Sequence, residues 1–472
     1  MIELEYLTFA GVVLVIAEFV GLLFALDVVM RPRSSQGTIA WFIALITMPL
    51  ITVPLYILFG RTRFHGYAEA MREKESSLLE QRKEWFSRMT ALAAKPRENL
   101  EAIETVVRYL TKVPFTRGNQ TELLVDGTAT YKAMLDAIAT AESYVFVQFY
   151  IVRDDASGQR MRDALIEKAR AGVRVHFLYD EIGCIKLPDS YLELMRKESI
   201  EVSGFKTTKG RNNRFQINFR NHRKLLIVDG WIGFIGGHNL GDEYLKYRDT
   251  HMRIDGPATL HIQLSFLKDW FWATGKIPQC NTTAETEGAD DQAVAIVNTG
   301  PADDNAHCSV FFTSLINMAR RRLWITSPYF VPDDVLVRAL QAAALRGVDV
   351  RIMLPGKADQ KLVELASFTY YALMTNCGVR LFRYRDRFMH QKVILVDDGL
   401  AGIGTVNLDN RSIYLNFEAT GLVADDGFVK EVEAMLDADL ECCEEVQCAH
   451  FDNKPLWFRV AARVARLASP LL

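Results

Sequence analysis

The sequence predicts an α/β protein made of two duplicated halves with mixed sheets around a shared active site, preceded by a two-helix transmembrane hairpin. Three observations carry that expectation. Residues 221–229 return as residues 389–397, and both stretches read H-x-K-x-x-x-x-D. The repeat extends beyond them, since residues 145–155 align with 324–334 and residues 164–175 with 339–350. Finally, the first sixty residues hold two long apolar runs, each of a length that can cross hydrocarbon.

The apolar runs come first. Residues 9–29 are apolar apart from Glu18 and Asp27, whereas residues 38–59 carry no charge and have Trp41 and Tyr56 near their ends, as an interfacial belt would. Glu3 and Glu5 stand where a signal peptide would be basic. Residues 1–60 are therefore expected to form the hairpin, with Glu18 near midspan needing a partner. Arg61, Arg63, Arg72 and Lys74 follow the second run, against Arg31 and Arg33 between the runs, so the positive-inside tendency places the body in the cytoplasm. Residues 61–115 read as a juxtamembrane helical linker with an apolar stripe of Met71, Leu78, Leu79, Trp85, Met89 and Leu92.

In the body, strands alternate with helices in the same order twice, giving a first half over residues 116–280 and a second over 306–450. The polar stretch 281–305 reads as the linker between them. Residues 451–472 are expected to form a C-terminal amphipathic helix that puts Trp457, Val460, Val464 and Leu467 on one side and arginines largely opposite, suited equally to the interface plane and to packing on the body. A basic stretch precedes each motif, residues 206–220 and 380–389. Each reads as a rim that attracts anionic headgroups while its Phe and Met side chains dip toward the acyl region.

Composition narrows the function. A formal net charge of −3 argues against a general nucleic-acid binder. Seven cysteines without CxxC spacing indicate neither a disulfide framework nor a zinc site, and reduced thiols agree with a cytoplasmic body.

The motifs carry the chemistry. In residues 224–229 and 392–397 a short β-branched run reads as a buried strand, and strand alternation points each histidine and its lysine the same way. An imidazole beside an ammonium suits a phosphate, one attacking or moving a proton while the other neutralises oxygens. A glycine turn and an asparagine lie beyond each motif: Gly236-Gly237-His238-Asn239 and Gly404-Thr405-Val406-Asn407, with 17 residues from histidine to asparagine both times. An acidic residue comes later at almost matched offsets, Asp249 at 27 and Glu418 at 28 residues after the histidine.

This double pattern resembles the phospholipase D superfamily, whose members build one active site from two HKD motifs. The resemblance spans about residues 120 to 450. Residues 236–244, 247–251, 327–332 and the final Ser469-Pro470-Leu471-Leu472 look more narrowly like the bacterial cardiolipin synthases. The first catalytic loop departs from the commoner G-[ST]-x-N by carrying Gly237 where the second has Thr405, so a hydroxyl donor is expected in one half only.

The resemblance implies a catalytic set of His222, Lys224, Asp229, His390, Lys392 and Asp397. Lys224, Lys392, Asn239, Asn407 and Thr405 would hold substrate phosphate, and Asp249 and Glu418 would orient the histidines. Asp229 and Asp397, at the strand ends, are expected to brace loops rather than touch substrate. By that resemblance His222 attacks phosphatidylglycerol, His390 acts as general acid and base with Thr405 helping to position a glycerol, and a second phosphatidylglycerol resolves the phosphatidyl-histidine. Neither metal nor cofactor is required. Anionic membrane lipids are the expected partners, the bacterial inner membrane the expected location with more than one crossing, and the oligomeric state is left open, a homodimer included. A membrane-bound hydrolase, with water in place of the second lipid, is the alternative.

Overall fold

The computed structural model describes residues 2–31, 34–75, 79–95, 99–210, 213–282, 291–446 and 453–472. The chain divides into two compact units, Met1–Gly66 with Thr207–Phe219, and Tyr67–Lys206 with Arg220–Leu472.

In the first unit the expected hairpin of two full spans is corrected. The helix Ile2–Met30 contains one segment, Gly11–Met30, long and apolar enough to cross a membrane. The second apolar run instead forms two shorter helices, Ser35–Thr47 and Pro49–Phe59, separated at Met48 (φ −136°, ψ 55°), where Pro49 opens the next helix. The chain turns back at this break. Trp41 and Tyr56 would lie roughly 22 Å apart along an unbroken helix, yet their ring centroids are 5.2 Å apart.

The reversal is seated against the long helix. The Leu45 carbonyl oxygen would lie 2.5 Å from a Cβ at Gly21, so only glycine admits this approach. Farther along, the Tyr56 hydroxyl donates to Asp27 (2.8 Å), which also accepts from Arg31 (2.9 Å). The second run thus dips beside Gly21 and returns toward Asp27. Glu18 is exposed and has no ion pair among the described residues. Arg33 and Leu78 lie outside the described residues.

The second unit is built on one mixed sheet. Outward from its centre, the first half contributes Thr116–Val125, Thr250–Asp255, Ile232–Gly236, Leu225–Val228, Tyr144–Phe149, Arg174–Asp180 and Glu201–Phe205. The second half repeats that order with Gln292–Thr299, Asn416–Ala424, Leu400–Gly404, Val393–Val396, Arg322–Thr326, Asp349–Pro355 and Arg380–Tyr384. In each half the last three strands run parallel and the motif strand is antiparallel to its neighbours.

The innermost strands of the two halves pair with each other, which joins the expected separate sheets into one. The linker expectation for 281–305 is corrected at the same place. Residues 283–290 lie outside the described residues, but Gln292–Thr299 is a central strand whose Val294, Ala295, Ile296 and Val297 are buried. A purely polar boundary would have left that seam unfilled.

Part of the juxtamembrane stripe serves as core. Met89 is buried with Val113 and Leu260, and Trp85 and Leu92 pack against them. The second basic stretch is not a free rim either. Arg380 pairs with Glu445, Arg383 with Glu364, Arg385 with Glu444 and Arg387 with Asp126, while Met389 is fully buried. In the first stretch Lys206 pairs with Glu181 and Phe215 is exposed; Arg211 lies outside the described residues.

Candidate active site

Each motif strand is short and wholly buried, Leu225–Val228 and Val393–Val396, so its flanking polar residues are held at fixed ends. The histidine end meets the opposite half. The His222 N–H donates to the Phe417 carbonyl (2.9 Å) and the His390 N–H to the Arg248 carbonyl (2.8 Å). Each histidine is thereby docked on the residue that precedes the other half's acidic residue.

The side chains cross in the same way. His222 Nδ1 lies 3.0 Å from both carboxylate oxygens of Glu418, and His390 Nδ1 lies 2.6 Å from Asp249 Oδ2. All four side chains are buried. Burial holds both imidazoles neutral, His222 lowered to about 4 and His390 to about 3; neighbouring lysine charges push the same way, against the carboxylates. Despite its own burial, Asp249 is pulled well below the usual carboxylate range by Lys392 and His390. Glu418 is likewise buried and likewise lowered, by His222 and Lys224. A neutral ring facing a carboxylate must donate from Nδ1, which leaves the Nε2 lone pair for chemistry.

Both lysines are parked on their own histidines. Lys224 Nζ donates to the His222 carbonyl at 2.6 Å, and Lys392 Nζ donates to that of His390. Burial lowers Lys392 to about 8 and Lys224 well below its ordinary value, the nearby carboxylates opposing the shift in both. Asn239 accepts the Ile151 N–H (3.2 Å) through Oδ1, whereas Asn407 Oδ1 is buried without a hydrogen-bond partner among the described residues.

Thr405 does something other than expected. Its hydroxyl donates to Glu418 Oε2, and its carbonyl oxygen lies 3.1 Å from His222 Nδ1, so it is committed to His222's carboxylate rather than free for phosphate or glycerol. The matching Gly237 has a steric cause. A Cβ there would sit 2.0 Å from Asp249 Oδ1, which occupies the space that the threonine side chain takes in the other half.

Asp229 and Asp397 are not brought to the site, although the HKD pattern includes them. They lie about 16 Å from the lysine end, by the rise of five strand residues. Each adopts a left-handed conformation (φ 52° and 51°) that aspartate tolerates. Asp229 accepts the N–H groups of Glu142, Ser143 and Tyr144, and Asp397 those of Arg320, Arg321 and Arg322.

Two buried clamps behind the site are absent from the sequence expectation. Arg223, the middle residue of the first H-x-K, donates to Asp269 (2.7 Å), to the Glu418 carbonyl (3.1 Å) and to the Thr299 carbonyl (3.2 Å). Asp269 also accepts from Tyr67, Gln148 and Asn221. In the second half Gln391 donates to Asp439 (3.1 Å), which binds Arg248 through both oxygens. Asp269 and Asp439 occupy matching helices of the two halves, Thr259–Thr274 and Asp426–Glu441, and that matched placement was the one signal available.

A family model described as cardiolipin synthase, PLD-like domain, matches residues 134–270 and 312–440, one segment in each half. Another, described as phospholipase D-nuclease N-terminal, matches residues 19–61. The chain is 44% identical over 479 residues to Cardiolipin synthase A of Pseudomonas aeruginosa strain LESB58, covering 98% of this chain and 96% of that one. It is 42% identical over 475 residues to Cardiolipin synthase A of Pseudomonas fluorescens, covering 98% of each. The crystal structure of phosphatidylserine synthase from Haemophilus influenzae Rd KW20 shares the fold, with TM-score 0.61 at 15% identity, over 79% of this chain and 100% of that one.

Proposed function

Because the chain belongs to the cardiolipin synthase family of the phospholipase D superfamily, we propose that it makes cardiolipin and glycerol from two molecules of phosphatidylglycerol through a phosphatidyl-histidine. The crossed histidine–carboxylate pairs carry this reading. They prepare two Nε2 atoms, one to bond phosphorus and one to move a proton, in a single buried site.

His222 is assigned as the nucleophile and His390 as the acid and base. Glu418 divides its hydrogen bonds among His222, Thr405 and Asn416, whereas the one side chain that Asp249 bonds at 2.6 Å is His390. Asp249, strongly ionised and on a short bond to His390, stabilises an imidazolium there. An arriving phosphodiester brings the negative charge that favours the protonated form of His390.

In the first step His222 Nε2 bonds to phosphorus, the bond to the leaving glycerol oxygen breaks, and His390 gives that oxygen its proton. The glycerol hydroxyl of a second phosphatidylglycerol then gives its proton to His390 and bonds to phosphorus, and His222 leaves. Lys224 and Lys392 neutralise the phosphoryl oxygens, with Asn239 and Asn407 as further donors. The N-terminal helix anchors the enzyme in the bacterial inner membrane, with the body in the cytoplasm.

Reconstituted protein given phosphatidylglycerol alone is expected to yield cardiolipin and glycerol in equal amounts. Phosphatidic acid with glycerol would show the hydrolase instead. With a donor bearing a good leaving group, acid-quenched His390→Ala is expected to retain an adduct by intact mass and His222→Ala none; the reverse exchanges the two roles.

A further inference from the structure

The C-terminal helix Leu456–Arg466 has two apolar faces, and the body accounts for one. Phe458 meets Phe368 at 5.1 Å between ring centroids, and Ala462 and Ala465 are buried. At about 100° per residue, Leu456, Trp457, Val460, Val464 and Leu467 fall on the far side within one arc of about 100°. These five are 67%, 70%, 50%, 60% and 80% exposed. A helix docked on a body ordinarily turns charge outward. Here Arg459, Arg463 and Arg466 lie between the two apolar faces, where long side chains can reach past an apolar layer.

Charge says what covers the outer face. Residues 453–472 contain Lys454 and these three arginines but no acidic residue. Among the described residues none of the four has an ion-pair partner, and Arg466 lies over the Tyr370 ring at 4.8 Å. A second copy packed antiparallel about a twofold would bring the arginine rows together with no acid of residues 453–472 to answer them. An anionic lipid surface complements both the arginines and the apolar arc.

We propose that this helix lies in the plane of an anionic bilayer, with Trp457, Val460, Val464 and Leu467 entering the acyl boundary and Arg459 and Arg463 meeting lipid phosphates. It is a second membrane contact, separate from the N-terminal helices. The helix is also tied to the candidate site. The Leu472 carbonyl accepts the Arg411 N–H (2.7 Å), and Arg411 belongs to the short helix Asn410–Tyr414 that follows Asn407 by sequence. Seating the helix on lipid therefore steadies the second catalytic loop. The contact does not depend on the proposed reaction, although its effect on rate does.

The test uses the full chain reconstituted in phosphatidylglycerol-containing vesicles. Brominated phosphatidylglycerol is expected to quench less of the total tryptophan emission in Trp457→Phe than in the unaltered chain. Equal quenched intensity would overturn the proposal. The double variant Val460→Asp/Val464→Asp, altered only at exposed positions, is expected to lose about tenfold in rate on vesicles. Its rate on dissolved short-chain phosphatidylglycerol should stay within about twofold. Equal loss on both substrates would make the helix a structural part of the body, and loss of a dimer without a quenching difference would assign the face to a second copy. The quenching arm stands even if no cardiolipin forms.

Discussion

Lys392 ties activity and stability to pH in opposite ways at the alkaline end, and the two histidines tie stability to pH at the acid end. Lys392 gives up its proton near 8, and with it the charge that would neutralise phosphoryl oxygens, so kcat/KM is expected to fall as pH rises through about 8. Lys392→Arg should lose the part of that limb that Lys392 contributes, because arginine stays charged. Stability moves the other way. Unfolded lysine holds its proton to about 10.4, so above pH 8 the unfolded chain binds more protons and stability rises with pH. On the acid side the folded rings protonate only near 4 and 3, whereas unfolded histidine does so near 6.5. Stability present above 6.5 is lost as pH falls, by about 1.4 kcal/mol per pH unit for each ring. Thermal unfolding in detergent from pH 4.5 to 9.5 measures both slopes, and His222→Asn should make the acid one shallower by one ring's share. An unchanged acid slope in that variant would mean that His222 is not held neutral.

At the scale of the element, the motif strand works as a spacer with different tasks at its two ends. Its start presents histidine and lysine to the other half, and its end closes a turn through an aspartate that accepts three N–H groups. Removing that aspartate leaves donors without an acceptor and puts alanine in a left-handed conformation. Asp397→Ala is expected to lower unfolding free energy by about 2–4 kcal/mol. Its kcat per folded molecule should stay within about threefold of the unaltered chain. Chemical denaturation and active-site titration separate the two quantities, and a kcat loss of about a thousandfold at full stability would place Asp397 in the chemistry.

At the scale of the whole molecule, neither half holds a complete site, because each histidine's carboxylate belongs to the other. The first unit sets how that site is tethered. A single crossing by the N-terminal helix would put Arg31, Arg61 and Arg63 on one side, in keeping with the proposed cytoplasmic body. In a chain with its native cysteines replaced, a cysteine at Glu3 is expected to react with an impermeant thiol reagent from outside intact cells. Cysteines at Ser35 and Thr282 should be protected. Labelling at Ser35 with protection at Thr282 would restore a hairpin of two full spans.

The duplication made the α/β halves legible, since identical spacing of histidine, lysine, asparagine and acid around a buried run leaves little freedom in how each half folds. That spacing singles out His222, Lys224, His390, Lys392, Asn239, Asn407, Asp249 and Glu418 as candidates. Spacing along a chain, however, says nothing about which half a side chain faces. The crossing of Asp249 to His390 and Glu418 to His222, and the use of Thr405 as a brace, depend on pairing between strands remote in sequence. The turn at Met48 was hidden for a related reason. Hydropathy sums over a window, whereas a proline at a helix start acts at one residue and matters only if packing, here Leu45 against Gly21, holds the reversal. Arg223 and Asp269 escaped because a buried ion pair looks like two ordinary surface charges until tertiary structure removes the water.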